Sequence, residues 1–289
     1  MLTVNQYCRK NFGEKLYKLS LNGGMSCPNR DGTLGTGGCI FCSEGGSGDF
    51  TPSAALPIGM QIEDAKRRVS GKYHGSHYIA YFQAFTNTYA PVDYLRRLFT
   101  KVITREDIAV LSVATRPDCL GEDVLELLGQ LREIKPVWVE LGLQTVKPET
   151  IRYIRRGYET PVYDEAVKNL NALGIHTVTH VILGLPGEDE RDMLKTVEHT
   201  VKAGSAGIKL QLLHVLEGTD LAEDYKKGLF EVLSLEEYIG ILKKCVALLP
   251  EDMVVHRLTG DGPKKILIAP LWSGDKKRVL NAVNRALGL

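Results

Sequence analysis

Residues 160–203 read TPVYDEAVKNLNALGIHTVTHVILGLPGEDERDMLKTVEHTVKA, and this stretch decides the fold. Thr160-Pro161 sets a capping hydroxyl before a first-turn proline, and Gly174 stands just past the end of an amphipathic helical segment at 162–173. A β-rich run at 176–183 follows, then a second helical segment at 190–203. Helix feeding strand feeding helix is the repeating unit of a parallel sheet wrapped by helices. Outward from it the same alternation runs from about residue 16 to residue 250, with strands expected at 16–21, 78–83, 108–114, 137–143 and 208–213. Helical segments fall between them at 61–70, 92–103 and 122–134, and Ser234 with Glu237 makes a capping box before a helix at 238–249. Six strands suit a partial (β/α)6 barrel or a doubly wound sheet; eight would close a barrel.

The bulk composition excludes several classes. The chain has 289 residues, 44% hydrophobic and 25% charged, so it can bury a full-sized core without disulfides. A formal charge of +1 excludes a bulk polycationic nucleic-acid binder, though not a local basic face. No stretch reaches the roughly 18 uninterrupted apolar residues of a membrane helix, and the first residues do not read as a secretory signal. We expect a cytoplasmic protein. Two stretches break the βα rhythm. The Gly-rich segment 23–57 follows the first strand, at the strand end where parallel sheets place their sites. The tail from Arg257 carries Arg257, Lys264, Lys265, Lys276, Lys277, Arg278 and Arg285 against Asp261 and Asp275. Its expected helix, 276–287, would cap the sheet with a basic outer side. The division expected is a catalytic unit at 1–250 and a basic extension at 251–289.

Six cysteines in such a chain are better read as ligands or small hydrophobes than as disulfides. Cys27, Cys39 and Cys42 crowd into the long loop, while Cys8, Cys119 and Cys245 are scattered. Eleven residues separate Cys27 from Cys39 and two separate Cys39 from Cys42, so the C-x2-C turn brings two thiolates to one side. Three ligands fall one short of a closed zinc site and suit a [4Fe-4S] cluster with one iron left open. The alternative is zinc with a distant fourth ligand, from Cys119, Cys245 or a histidine.

This loop, with Phe41 before its last cysteine, resembles the cluster loop of the radical S-adenosylmethionine (SAM) superfamily, in the wide spacing of the Elongator catalytic subunit and its relatives. Further motifs come in matching order. They are Ala114-Thr115-Arg116-Pro117-Asp118, Val139-Glu140-Leu141-Gly142-Leu143-Gln144-Thr145, Arg155-Arg156-Gly157 and Gly184-Leu185-Pro186-Gly187. Leu21-Asn22-Gly23-Gly24, Cys27-Pro28-Asn29-Arg30-Asp31-Gly32-Thr33, Tyr81-Phe82-Gln83-Ala84-Phe85-Thr86-Asn87-Thr88 and His256-Arg257-Leu258-Thr259-Gly260-Asp261-Gly262-Pro263 narrow the resemblance to the YhcC/YtqA-type proteins, over nearly the whole chain.

The resemblance implies a [4Fe-4S] cluster on Cys27, Cys39 and Cys42, SAM on the open iron, and cleavage of SAM to a 5′-deoxyadenosyl radical. Phe41 would pack on the adenine, and Gln144 would bond the ribose or methionine part of SAM. Arg156, twelve residues beyond Gln144, would take the SAM carboxylate through its planar fork. Gln83, Thr86 and Asn87 stand where relatives carry a Gly-Gly-Glu-like run that receives the SAM amino group. Glu140 shares its pleat face with the site, with structural salt bridging as the competing role, and His180 takes the place of a carboxylate near the ribose. Strand alternation puts Lys209 and Gln211 on one face, expected towards the lumen and substrate, with His214 at the rim. Arg116 and Asp118 either join them or pair with each other.

The family implies action on tRNA: remodelling of the C5 side chain of the wobble uridine, from carboxymethylaminomethyl towards aminomethyl. Reduced flavodoxin or ferredoxin would donate the electron, and a downstream methyltransferase would take the product. The basic tail would meet phosphates, with Trp272 or Tyr81 stacking on a base. Two other readings stay open here: a radical SAM oxidoreductase on a small molecule, and a zinc-stabilised binding protein without catalysis.

Overall fold

Residues 160–203 form the expected unit: α6 (Thr160–Ala172), β6 (His176–Leu183) and α7 (Glu190–Lys202). The structure, a computed structural model, describes residues 1–46, 51–260 and 262–289, so 47–50 of the cysteine loop and Asp261 of the tail motif lie outside the described residues. Before that unit come β1 (Leu2–Thr3), α1 (Val4–Phe12), β2 (Tyr17–Leu21), α2 (Ile58–Val69), β3 (Tyr78–Phe82) and α3 (Val92–Ile103). Then follow β4 (Ile108–Thr115), α4 (Glu122–Arg132), β5 (Val137–Gln144) and α5 (Pro148–Tyr153). After it come β7 (Gly207–Leu212), β8 (Val215–Leu216), α8 (Asp220–Lys226), α9 (Leu235–Ala247), β9 (Val254–Arg257), β10 (Leu267–Ala269) and α10 (Lys276–Leu287).

β2 to β7 lie side by side in chain order, all parallel, which is the expected six-stranded partial barrel. Two strands go beyond the expectation. β9 adds to β7 and β1 adds to β9, both parallel, giving eight strands in the order β1-β9-β7-β6-β5-β4-β3-β2. Eight strands do not close the barrel: β2 and β1 remain the two edges. β9 has only four residues and β1 two, too short for a periodic signal, and both depend on partners far along the chain. The expected boundary at 250/251 precedes β9, so the C-terminal extension opens with a strand of the main sheet and only then leaves it. β8 and β10 pair separately as a small antiparallel ribbon.

Strands buried on both faces read as near-continuous apolar runs, as β3 (YIAYF) does. The outer faces of β2 to β5, including Leu19, Phe82, Leu111, Val113, Val139 and Leu141, pack on α2, α3, α4 and α6. β6, β7 and β9 pack on α7, α9 and α10. Among the described residues no helix is long and apolar enough to cross a membrane.

Helix ends follow local chemistry, with one correction. Ser234 caps α9 in a capping box with Glu237, as expected. Thr160 is not a cap: α6 begins at Thr160 itself, with Glu159 before it and no side-chain cap. The Thr160 hydroxyl instead accepts from Nη2 of Arg156 at 3.2 Å, a partner that tertiary packing supplies.

Candidate active site

The cysteine loop leaves β2 and lies over the C-terminal end of the sheet. Its first turn winds tightly, Arg30 and Asp31 amides donating to the Cys27 carbonyl and the Leu34 amide to the Pro28 carbonyl. Arg30 ties the two ends of the loop together, its guanidinium donating to the carbonyls of Cys42 (3.1 Å), Ser43 (2.5 Å) and Glu44 (3.4 Å). The loop docks on the segment after α5, where the Ile40 amide donates to the Ile154 carbonyl and Asn29 Nδ2 to the Arg155 carbonyl (2.7 Å). Cys27, Cys39 and Cys42 thereby line one cavity of about 180 Å³, with Phe41, Phe85, Thr86, Gln144, His180 and Gln211 on its other walls.

The donor set discriminates between the metal readings. The Cys42 thiol bonds Cys39 and pulls that thiol down to about 7, against burial and with help from Asn29, Arg116 and Arg30. Cys42 is pushed up by the same bond, by burial and by the Cys39 charge. Yet among the described residues no group of three or more His, Cys, Asp or Glu is placed to hold a single metal ion. A cluster needs something different, since each thiolate takes its own iron around a larger body and one iron keeps no protein ligand. Three cysteines around one cavity fit that requirement and do not fit a closed tetrahedral zinc site.

Beneath the cavity lies a buried polar layer. Glu140, 1% exposed, receives Lys18 Nζ (2.7 Å) and Ser112 Oγ (2.9 Å) on Oε1, and His180 Nε2 (2.7 Å) and Lys209 Nζ on Oε2. Lys209 also reaches the Tyr81 hydroxyl at 3.1 Å, and both lysines sit over the Tyr81 ring at 4.6 Å. Burial pushes the Glu140 carboxyl upward, but the pull of Lys18, Lys209 and His180 outweighs it and holds the group well below the usual carboxylate range. Burial lowers Lys209 to about 7 and, with the lysines' charges, lowers His180 to about 4, so His180 is neutral near pH 7. A neutral ring bonding a carboxylate through Nε2 carries its proton there, which leaves Nδ1 as an acceptor.

These contacts reassign several expected site residues. Both oxygens of Glu140 are filled by protein donors, so it organises the floor of the cavity; the competing salt-bridge role is the one observed. Lys209, 4% exposed, points into the lumen as expected but lies below the cavity, bound to Glu140 and Tyr81. Arg156, 1% exposed, donates from Nε to the Tyr158 carbonyl, from Nη1 to those of Leu143 and Thr145, and from Nη2 to Thr160. A guanidinium so committed braces the exit of β5 and has no bidentate edge left for a carboxylate. His214 packs against Gly260 and Gly262 and does not line the cavity. Gln83 and Asn87 do not line the cavity; the Asn87 side chain donates to the Ala114 carbonyl, tying the exit of β3 to β4. Arg116 pairs with Asp118 (2.9 and 2.7 Å) and also bonds the Arg156 carbonyl. Tyr81 is buried in the floor and is no stacking platform, while Trp272 is half-buried, bonds the Leu233 carbonyl and packs on Tyr238.

Of the expected site residues, the three cysteines, Phe41, Thr86, Glu140, Gln144, Arg156, His180 and Gln211 line the cavity. Sequence reasoning missed Lys18, which alternation along β2 would have placed on the lumen face, and Ser112, Asn29, Arg30 and Phe85. It also missed Tyr158, whose ring contacts the guanidiniums of Arg156 (4.5 Å) and Arg116 (5.0 Å) and whose hydroxyl bonds the Gly142 carbonyl. Phe85, Gln144 and Arg155 are the described non-glycine residues with positive φ, at 58°, 59° and 55°. All three sit at the cavity or under the cysteine loop, where packing holds a backbone that L-residues avoid.

Comparison with known proteins agrees with this geometry. The radical SAM superfamily model matches residues 31–200 and the radical SAM C-terminal domain matches 205–288. The chain is 45% identical over 285 residues to YtqA of Bacillus subtilis, covering 99% of this chain and 88% of that protein. It is 36% identical over 264 residues to YhcC of Escherichia coli K12, covering 91% and 84%. A more distant similarity, 27% over 161 residues, joins it to the tRNA uridine(34) acetyltransferase of Methanocaldococcus jannaschii, covering 55% and 29%. Among solved structures, Elp3 of Methanocaldococcus infernus shares the fold with a TM-score of 0.69 at 16% identity, covering 99% of this chain and 64% of that one. The cysteine-lined cavity at the mouth of the open parallel barrel thus has its family: the chain belongs to the YhcC/YtqA-type branch of the radical SAM superfamily, enzymes that work with a [4Fe-4S] cluster and SAM.

Proposed function

We propose that this radical SAM enzyme remodels the C5 side chain of the wobble uridine of tRNA, taking carboxymethylaminomethyl towards aminomethyl. The observation that carries the reading is the 161-residue similarity to a protein named for modification of tRNA uridine 34. Cys27, Cys39 and Cys42 would hold the cluster, and Phe41, Thr86, Gln144 and His180 border the space for SAM. When bound, the pair supplies a 5′-deoxyadenosyl radical able to take a hydrogen from an unactivated carbon.

The chain's own residues do the rest. Phe41, Phe85 and Ile182 give the cavity apolar walls that limit water. Glu140, held by four donors, fixes the tautomer and orientation of His180, which offers Nδ1 as an acceptor. Gln211, on the same face of β7 as Lys209 but nearer the mouth, presents an amide to the substrate side. Arg257, Lys264, Lys265, Lys276, Lys277, Arg278 and Arg285 are all exposed, so the extension at 251–289 presents a basic surface for phosphates. Reduced flavodoxin or ferredoxin is the proposed electron donor, and a methyltransferase the consumer of the aminomethyl product.

The test is anaerobic reconstitution with iron and sulfide, followed by SAM, dithionite and tRNA carrying carboxymethylaminomethyluridine, with nucleosides read by mass spectrometry. Conversion to aminomethyluridine in wild type, absent in the Cys27→Ala, Cys39→Ala, Cys42→Ala variant, is expected. Formation of 5′-deoxyadenosine that ignores tRNA and leaves its uridine unchanged would overturn the tRNA substrate and favour a small molecule.

A further inference from the structure

Asn29 lies inside the cysteine loop, 5% exposed, with no place among the expected site residues. Its Nδ2 donates to the Arg155 carbonyl at 2.7 Å and lies 3.4 Å from both Cys39 Sγ and the Arg156 carbonyl. The two carbonyls accept only, so the amide can face them through nitrogen alone, and the N–H directed at sulfur is not a matter of amide flip. The backbone is pinned as well: the Gly38 amide donates to the Asn29 carbonyl at 2.7 Å. The carbonyls that orient the amide belong to a segment with Arg155 at positive φ and the Arg156 guanidinium anchored to the exit of β5. A chain of fixed contacts therefore runs from β5 through Arg156 and Asn29 to the sulfur of Cys39.

Hydrogen bonds to ligating sulfur withdraw charge from it and make a cluster easier to reduce. We propose that Asn29 is a positioning residue that donates an N–H···S bond to the Cys39 thiolate and so raises the affinity of the cluster at this site for its one electron. The inference rests on the three-cysteine cluster reading and goes beyond it by naming what tunes the cluster.

The experiment is a redox titration of reconstituted wild type and Asn29→Leu, followed by electron paramagnetic resonance. A side chain of similar volume without the donor should lower electron affinity about tenfold, 59 mV for a one-electron couple. A fully loaded variant with an unchanged potential would overturn the proposal. Should Asn29→Leu fail to load, the wild type decides alone: protein labelled with 15N-asparagine should show a nitrogen hyperfine coupling to the reduced cluster, together with an exchangeable proton lost in D2O. Absence of both signals refutes the bond. A wild type that binds no cluster would break the cluster reading itself, a distinguishable result.

Discussion

The two ends of the same parallel strands are built differently. At the C-terminal end Phe85, Gln144 and Arg155 hold positive φ, a cavity stays open, and cysteines and arginines face it. At the N-terminal end α1 plugs the barrel, with Cys8 buried against Leu16, Ile79, Val110 and Trp138. There Tyr7, Trp138, His176 and His256 pack edge-to-face or tilted at 5.0–6.0 Å between centroids, and the two imidazoles share a bond of 3.1 Å between their Nε2 atoms. The Thr3–Gln6 capping box starts α1 with ordinary backbone, and the described residues show no positive-φ side chain at that end. One end stores strain and charge around a space; the other fills its space with rings. The Glu140 layer separates them, with the site above and packing below.

That layer offers the largest effect. Glu140→Ala strands Lys18 and Lys209 beside each other in the lumen, and an expected loss of about 3–5 kcal/mol in urea unfolding follows from leaving buried charge uncompensated. Pairing Glu140→Gln with Lys209→Met should recover much of it. A loss below about 1 kcal/mol would mean that the layer does not divide the molecule as described.

Arg156→Ala comes next, removing the donors to the carbonyls of Leu143, Thr145 and Tyr158 at a cost of about 3 kcal/mol. Arg156→Lys should not rescue it, because an ammonium cannot span the same fork. If the variant stays stable and instead shows only a raised KM for SAM, the carboxylate role returns.

Acid and base should act with opposite sign on the buried histidine pair at the N-terminal end and on Glu188 at the rim. Burial holds His176 at about 4 against an ordinary 6.5, and lowers His256 as well. The unfolded chain therefore takes protons that the fold refuses, and stability contributed here is present above pH 6.5 and lost as pH falls towards 4. At the rim, burial raises Glu188 to about 7 from an ordinary 4.5, while its Oε1 bonds the Thr145 hydroxyl. Its contribution is complete below pH 4.5 and is lost as pH rises through 7. Urea midpoints across pH 4–8 should show Glu188→Gln gaining on wild type at pH 8 but not at pH 4, and His176→Gln gaining at pH 4.5 relative to its own deficit at pH 8. Parallel profiles would remove the contrast.

The smallest effect tests the strain itself. Gln144→Gly should be about 1 kcal/mol more stable than Gln144→Ala, the reverse of the order at an ordinary position, because only glycine is at ease at φ 59°. Calorimetry showing alanine equal or better would mean that the rim is unstrained at this point.

The central strands and the cysteine trio were legible because their signals are local. β2 to β7 are five to eight residues long and carry apolar residues in runs or in alternation, and the C-x2-C turn is contained in four positions. Ser234 caps α9 as read, since cap and partner are three residues apart. Roles that depend on distant partners were not legible. Thr160 and Arg156 lie only four residues apart in the chain, yet the bond between them forms only because Arg156 turns into the exit of β5. Trp272 has the composition of a stacking residue, but the Leu233 carbonyl takes its N–H from across the fold.

Sequence alone determined the alternation of helices and strands, the three thiols on one loop, and through its motifs the radical SAM family. Tertiary structure alone decided that Lys18 meets Glu140 from 122 residues away and Lys209 from 69, turning expected ligand contacts into a sealed floor. It likewise decided that Asn29 aims its amide at Cys39. Periodicity and capping follow from dihedral preferences within a few residues, whereas a buried charge is stable only where long-range folding delivers its partner, and no short window of sequence contains that partner.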